Sequence, residues 1–378
     1  MTASVVRALR PTRARRDALA GRLSEVVGLY VLSILGALAL SAVLVSATGG
    51  SWRSVLSALI DGSIRNPGRW GTTIGGAIPL LTIALGTIVN AKAGLVNIGQ
   101  EGQLLLGGAC AAIVAVHFDA PGALVFFALA AAGVAGGAVW AGLAAALRYW
   151  RDVPEVLTTL LLVAVASQVV AFGFSTERLL LAPLSEGQGT QVQQTLRVPE
   201  GARLPRITLF GNEFPIAAFA AVILAAVVAF ILARTVWGFR LRMLGSNQRT
   251  ATRAGVRPAR YGITAMLISG GLAGLAGVFM LTGGDFGGYR FSPGFSINFG
   301  WTGLLVALVA RERAGAAVVV AFVFACLWTG SGFLAATGVE RRITDVVQAS
   351  LVLALLIPPA VLFIRARRRA AALRRVRV

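Results

Sequence analysis

Charge is scarce in this 378-residue chain, and acid scarcest: 15 Asp and Glu stand against 35 Lys and Arg, and charged residues make up only 13%. An average soluble domain carries about 25%. With 57% hydrophobic residues, a water-soluble fold could not cover its own core. His117 is the single histidine, which excludes most His-based metal sites. Cys110 and Cys326 lie far apart in apolar runs, so neither a disulfide framework nor a metal cluster is implied. No Gly-x-x-x-x-Gly-Lys-Ser/Thr occurs, so the chain has no P-loop for ATP. No Ser/His/Asp, Cys/His or carboxylate pair has catalytic spacing, and an enzyme is not expected.

Long apolar runs are abundant instead. Several reach the ~20 residues that cross a hydrocarbon core. The chain is therefore read as an all-α, polytopic membrane protein with ten spans, near 26–47, 73–90, 98–118, 121–147, 153–174, 215–233, 262–282, 298–310, 314–334 and 343–364. The eighth is short, a half-helix. The first is longer than the core of a signal peptide and is read as retained. With the N-terminus in the cytoplasm, 25 of the 35 basic residues fall on the cytoplasmic side, as the positive-inside rule expects. The net charge of +20 is thereby explained by membrane orientation, with no nucleic acid partner. This division gives a basic N-tail over 1–25, a transmembrane domain over 26–364 and a basic C-tail over 365–378, both tails cytoplasmic. The loop 175–214 is external, and the stretch 234–260 is cytoplasmic.

An internal duplication carries most information. Val96-Asn97-Ile98-Gly99-Gln100-Glu101-Gly102 matches Ile297-Asn298-Phe299-Gly300-Trp301-Thr302-Gly303. The shared pattern is apolar-Asn-apolar-Gly-x-x-Gly before an apolar run. By the topology above, the first copy opens an outward span and the second an inward one, an inverted repeat. Transporters place such repeats around a central site built from interrupted helices. Glycine lets the backbone leave helical geometry, and neighbouring amides can satisfy the freed groups or a solute. Asn97, Gln100, Glu101, Gln103, Asn298, Trp301 and Thr302 are thus the candidate substrate pathway. Glu101 is the one acid well inside a span, a costly position, with Lys92 as a candidate partner. A proton-coupled secondary transporter using Glu101 is the alternative from another class. Asn97 has a purely structural alternative, as a helix cap.

The cytoplasmic stretch 234–260 carries seven Arg and no acid. Within it Met243, Leu244, Ala251, Ala254 and Val256 keep an apolar register that a plain charge anchor does not need, so it is read as a docking element. A short helix ending at Gly255 is expected. Gly270, Gly274 and Gly277 have small-xxx-small spacing for helix packing.

Ala93-Gly94-Leu95-Val96-Asn97-Ile98-Gly99-Gln100-Glu101-Gly102-Gln103 resembles the signature of bacterial ABC-importer permeases of the branched-chain amino acid/simple sugar superfamily. Its Asn-Ile-Gly-Gln-Glu-Gly-Gln form is closest to the nucleoside-import subgroup served by basic-membrane-lipoprotein-type binding proteins. Pro154-Glu155-Val156-Leu157-Thr158-Thr159 resembles that subgroup's next motif. Arg242-Met243-Leu244-Gly245-Ser246-Asn247 with Ala254-Gly255-Val256 resembles the family's cytoplasmic coupling loop. The resemblance covers about residues 70–360 and departs at Trp301, where a smaller or polar residue is usual. Arg311-Glu312-Arg313 also replaces a Gly-x-x-x-Pro turn. The resemblance implies a non-catalytic permease subunit in the cytoplasmic membrane. Nucleosides or related small polar solutes would move inward through a pore shared with a second homologous permease; a simple sugar is the alternative cargo. It further implies partner ATPase subunits that hold ATP and Mg, an external substrate-binding lipoprotein, surrounding membrane lipid, and no cofactor on this chain. Arg240, Arg242, Gly245, Asn247, Ala254 and Gly255 become candidate ATPase-coupling residues, with the loop's apolar residues inserting into the ATPase.

Overall fold

The computed structural model describes residues 51–176, 179–183, 192–209, 211–296 and 298–334, with scattered helical positions between 25 and 47 and between 346 and 365. The expected first and last spans are described only in part, and their described residues, such as 35–43, are helical. Residues 1–24 and 366–378 of the basic tails, residues 184–191 of the long loop, and Ile297 of the second motif fall outside the described residues. The chain divides into two compact units, residues 59–330 and the terminal segments 1–58 with 331–378. In the terminal unit, Glu25 and Arg365 pair at 2.7 Å.

Eleven labelled helices follow in chain order among the described residues: α1 Trp52–Ile60, α2 Arg69–Lys92, α3 Gln100–His117, α4 Gly122–Arg151, α5 Glu155–Gly173, α6 Ala217–Arg234, α7 Val236–Ser246, α8 Gln248–Arg253, α9 Pro258–Gly283, α10 Phe299–Val309 and α11 Ala314–Leu334. Labelled helices stand at the second to ninth of the expected spans, and the described residues of the first and last are helical too. Among the described residues, six helices are long and apolar enough to cross a membrane: α2, α4, α5, α6, α9 and all but the last residue of α11. α3 opens with Gln100, Glu101 and Gln103, which lower its hydropathy, and α10 has only 11 residues. The chain is thus a multi-pass membrane protein. Phe127, Val139, Leu161, Phe172, Ile223 and Phe230 are exposed on α4, α5 and α6, and an apolar surface of that breadth is suited to lipid.

α2 and α9 form the centre and are the most buried of these six helices. Close packing comes from glycine, as the small-residue spacing expects. A side chain at Gly277 would come within 2.7 Å of the Leu104 carbonyl, and one at Gly274 would overlap the Gly133 carbonyl. Backbones of α3, α4 and α9 therefore touch directly, which only a missing Cβ allows.

The all-α expectation omits one feature. At the end of the 175–214 loop, reaching one residue beyond it, lies an antiparallel hairpin, β1 Arg206–Leu209 with β2 Asn212–Pro215, in which Arg206 faces Pro215 and Leu209 faces Asn212. The two-residue turn uses Gly211 at φ 72°, a left-handed conformation suited to glycine. The hairpin seats on the start of α2: the Gly68 amide donates to Asn212 Oδ1 at 2.9 Å. Beside it Arg206 pairs with Asp285. Burial pushes the Asp285 carboxyl above its usual range, and the Arg206 guanidinium opposes that rise.

The stretch 234–260 also departs from a single short helix. α7 and α8 meet at Asn247, whose extended backbone (φ −159°) breaks the helix. Asn247 Oδ1 then caps α8 by accepting from the Thr250 amide at 3.1 Å, satisfying an end group that would otherwise be unpaired.

Candidate functional site

The first motif folds back on the helix before it. α2 ends at Lys92, and Gly94 turns the chain at φ 76°. Ala93, Leu95 and Asn97 are then buried while Gly94 and Val96 are exposed, the period of two of an extended strand. By Gln100 the chain has returned beside residues two turns back on α2. Thr87 Oγ1 donates to Gln100 Oε1 at 2.8 Å, and Gln100 Nε2 donates to the Ile83 carbonyl at 3.3 Å. α3 starts there.

Side-chain amides hold this non-helical stretch. Asn97 Nδ2 donates to Gln103 Oε1 at 2.8 Å, and Gln103 Nε2 donates back to Asn97 Oδ1 at 3.0 Å. The Gly99 amide also donates to Asn97 Oδ1, at 3.1 Å. Ser269 Oγ accepts from both Asn97 Nδ2 and Gln100 Nε2, at 3.0 and 3.1 Å. The Pro154-to-Thr159 motif supports the outside: Thr159 Oγ1 accepts from the Ile98 amide at 3.3 Å. Gly99 is required here, because a Cβ would lie 2.6 Å from the Thr159 carbonyl. Buried backbone groups demand such partners.

The second motif arrives from the opposite end. After α9, residues 284–296 run back along α3. The Phe291 carbonyl accepts from the Thr195 amide at 2.9 Å, and the Phe291 amide donates to Thr195 Oγ1 at 3.0 Å. The rings of Phe291 and Phe295 lie against Gly108. Asn298, at φ 61°, opens α10. The Gly300 amide donates to Glu101 Oε2 at 2.6 Å, placing an acidic side chain at a helix N-terminus, where acids are favoured. A side chain at Gly300 would overlap the Glu101 backbone.

Two helices thus start at one point and run apart. Gly303 of α10 lies beside Leu80 and Ile83, and Glu312 lies beside Lys92, so α10 follows the direction of α2. Ser269, Gly274 and Gly277 of α9 lie beside Gln100, Gly107 and Leu104, so α3 follows α9. Met266 meets Asn90 and Ser269 meets Gly86, so α9 opposes α2. α3 and α10 are therefore antiparallel.

Asn97, Gln100, Glu101 and Gln103 are all buried and bonded as described. Asn298 is exposed, and Trp301 and Thr302 are half-buried; Thr302 Oγ1 donates to the Asn298 carbonyl at 2.9 Å. One group is closed on itself and the other is open. The suggested partner of Glu101 needs correction: Lys92 Nζ bonds Glu312 Oε2 at 2.8 Å. Three residues of the site were not singled out from sequence, Thr87, Asn90 and Ser269, and Thr159 was marked only as the end of the Pro154-to-Thr159 motif. Ser269 is the hub, and its signal was that it is the one hydroxyl in a glycine-rich run. Asn90 Nδ2 contacts Met266 Sδ at 2.9 Å while its buried Oδ1 lacks a hydrogen bond.

At the other candidate surface Arg240, Arg242, Gly245, Asn247, Ala254 and Gly255 are all exposed. Arg240 donates to the Tyr261 hydroxyl at 3.1 Å. The apolar register faces the other way. Leu244, Ala251 and Val256 form a small core of the chain itself, with Met243 and Tyr261 packed on it, so they are not free to insert into a partner. The outward face carries Gln248, Arg249, Thr252 and Arg253. Gly245 touches the membrane core: a Cβ there would lie 2.5 Å from the Lys92 carbonyl and 2.8 Å from the Gly94 amide.

Residues 70–356 match the family described as the permease component of branched-chain amino acid transport systems. A glucose ABC transporter permease protein of Haloferax volcanii is 33% identical over 74% of this chain and 74% of its own. A guanosine ABC transporter permease protein of Bacillus subtilis is 31% identical over 88% and 93%. A nucleoside ABC transporter permease protein of Lactococcus lactis is 28% identical over 79% and 80%. No solved structure matches the chain.

Proposed function

Given that the chain belongs to the family of branched-chain amino acid transport system permease components, we propose that it is the membrane permease subunit of an ATP-binding-cassette importer for nucleosides or related small polar solutes. The observation that carries this reading is the Glu101–Gly300 junction, where two re-entrant segments from opposite ends start two antiparallel helices. Interrupted helices meeting this way are how transporters build a site inside a bilayer. The matching motifs are proposed to be an inverted repeat within a ten-span fold.

Asn97, Gln100, Glu101 and Gln103 form the wall of the pathway, and Asn298, Trp301 and Thr302 its lining. An amide and a hydroxyl suit the edges and hydroxyls of a nucleoside, and an indole can stack on its base. A second permease completes the pore, and separate ATPase subunits bind ATP and Mg. An external lipoprotein delivers the solute, so weak binding in the permease suffices. The chain lies in the cytoplasmic membrane among lipid, with both termini and the 234–260 stretch inside and the hairpin outside. Nucleosides are preferred because the guanosine relative covers more of both chains than the glucose relative does. A simple sugar is the second reading, favoured by the higher identity of the glucose relative. The relatives leave the proton-coupled alternative without support.

The test is ATP-dependent uptake by the reconstituted complex of labelled guanosine, adenosine, uridine and glucose. Nucleoside uptake is expected; uptake of glucose alone selects the second reading, and ATP-independent, proton-driven uptake overturns both. Orientation is checked with Cys110 and Cys326 replaced by Ser. A cysteine at Val192 is expected to react with an impermeant thiol reagent in intact cells and one at Thr250 is not; the reverse pattern overturns the topology.

A further inference from the structure

Four contacts within residues 59–330 close into a ring. Gly245, at the end of α7, lies against the Lys92 carbonyl and the Gly94 amide. From Gly94 the extended segment leads to Glu101, and Glu101 holds Gly300 in the first turn of α10. α10 ends at Val309, and three residues on, Glu312 Oε2 meets Lys92 Nζ at 2.8 Å. The ring thus returns to within two residues of Gly94.

The turn that closes it is strained. Arg311 and Glu312 hold φ of 54° and 55°, a left-handed region in which a β-carbon is crowded. Their amides donate to the carbonyls of Leu308 and Ala307, at 3.0 Å each, which fixes the turn. A partly exposed ion pair contributes little to stability, so stability does not account for a glutamate kept in a conformation that glycine adopts freely. Lys92, its partner, is the only lysine in the chain.

Resting on the reading of this chain as a permease driven by a separate ATPase, we infer that Lys92 and Glu312 are positioning residues that make α10 follow the cytoplasmic arm. A displacement of α7 passes through the Gly245 contact to the base of the first re-entrant segment. The ion pair passes the same displacement to the end of α10, so both segments that form the Glu101–Gly300 junction move together. Without the pair, the first segment moves and the end of α10 lags behind.

The experiment uses the full complex with its ATPase, with Cys110 and Cys326 replaced by Ser. Spin labels at Val96 and Val139 report the first segment against α4; labels at Leu308 and Val139 report α10. All three positions are exposed. Distances are measured with and without ATP. Both are expected to change in the parent complex. In Lys92→Glu and in Glu312→Lys the Val96 change is expected to persist while the Leu308 change falls by at least half. The double charge swap is expected to restore it, and guards against a single variant that fails to fold. A general loss of stability would reduce both changes together, which overturns the inference, as does a full Leu308 change in the single variants. A parent complex that holds its ATPase yet shows no ATP-dependent change overturns the inference alone. A chain that recruits no ATPase overturns the permease reading as well.

Discussion

The two re-entrant segments reach the same junction by different means. The first spans seven residues, 93–99, and is held by side-chain amides: Asn97 and Gln103 bond each other, Asn97 and Gln100 both bond Ser269, and Thr87 bonds Gln100. The second is longer, from residue 284 to the start of α10, and is held by aromatic packing and by backbone bonds to Thr195 and Val198, ahead of the hairpin. Phe291 stacks near Phe174 and Phe295, and Phe286 packs against Phe299 and Trp328. Left-handed backbone recurs there at Gly284, Gly287, Gly288, Tyr289, Gly294 and Asn298. A short segment at membrane depth has few routes for its peptide groups and needs polar side chains beside it. A long one can borrow bonds from a neighbouring loop and fill space with rings. The first segment is therefore closed on itself, and the second leaves Asn298 exposed and Trp301 and Thr302 half-buried.

Gly300→Val should break both segments at once. The new side chain would overlap the Glu101 backbone, and backbone cannot yield as a side chain can. The expected cost is above about 3 kcal/mol, at the upper end for overpacking. Little assembled complex should be recovered, and thermal unfolding in detergent measures the shortfall. A variant that assembles with normal thermal stability would mean that the two motifs do not meet here.

Asn97→Ala should separate the segments. It leaves the Gly99 amide and the Gln103 side chain short of partners in a buried place, at about 2 kcal/mol. Stability and uptake should fall together, with the lipoprotein's solute affinity unchanged. Asn97→Gln is not expected to rescue, because the reciprocal amide pair depends on side-chain length. Full uptake at normal expression in Asn97→Ala would remove the first segment from the mechanism.

How much of this was legible in the sequence follows the range of the forces. The apolar runs marked helices because hydropathy is local: labelled helices stand at the second to ninth expected spans. The glycine spacing of α9 announced close packing because helical periodicity is local too. The fellow motifs at 97 and 298 were visible as a duplication. Their meeting was not, since it depends on both chain directions and on residues about 200 apart. Lys92 looked like a partner for Glu101 because it is near in sequence, whereas the fold brings it to Glu312, 220 residues away. Ser269 was hidden among glycines that have a sufficient packing explanation. In α7 and α8 the apolar register was visible, but a register does not say which side it faces. Leu244, Ala251 and Val256 turned inward because their own chain supplies the apolar cover.

Trp301→Ala tests the open side. Trp301 is half-buried and stands in the first turn of α10, so its removal should cost under about 1 kcal/mol of stability. If the indole stacks on a base, worth about 1–3 kcal/mol, uptake at low solute should fall by about tenfold. Uptake of a sugar, which offers no base, should fall less. Equal losses for guanosine and glucose would show that Trp301 packs against protein and does not read the solute.

The smallest effect sharpens the comparison most. Asn298 sits at φ 61°, where asparagine is tolerated, alanine is strained by about 1–2 kcal/mol, and glycine is relaxed. Asn298→Ala therefore combines backbone strain with loss of the amide and cannot separate them. Asn298→Gly removes only the amide, with a stability change within about 0.5 kcal/mol. A backbone role predicts normal uptake in Asn298→Gly and reduced thermal stability in Asn298→Ala. A place on the pathway predicts that both variants lose uptake alike, although only the alanine variant melts earlier. The second pattern is expected, because Asn298 is exposed and its motif counterpart Asn97 already fills the structural role with side-chain bonds on the closed side. Normal uptake in Asn298→Gly would make the second asparagine a device for starting α10 and move the lining of the pathway to Trp301 and Thr302.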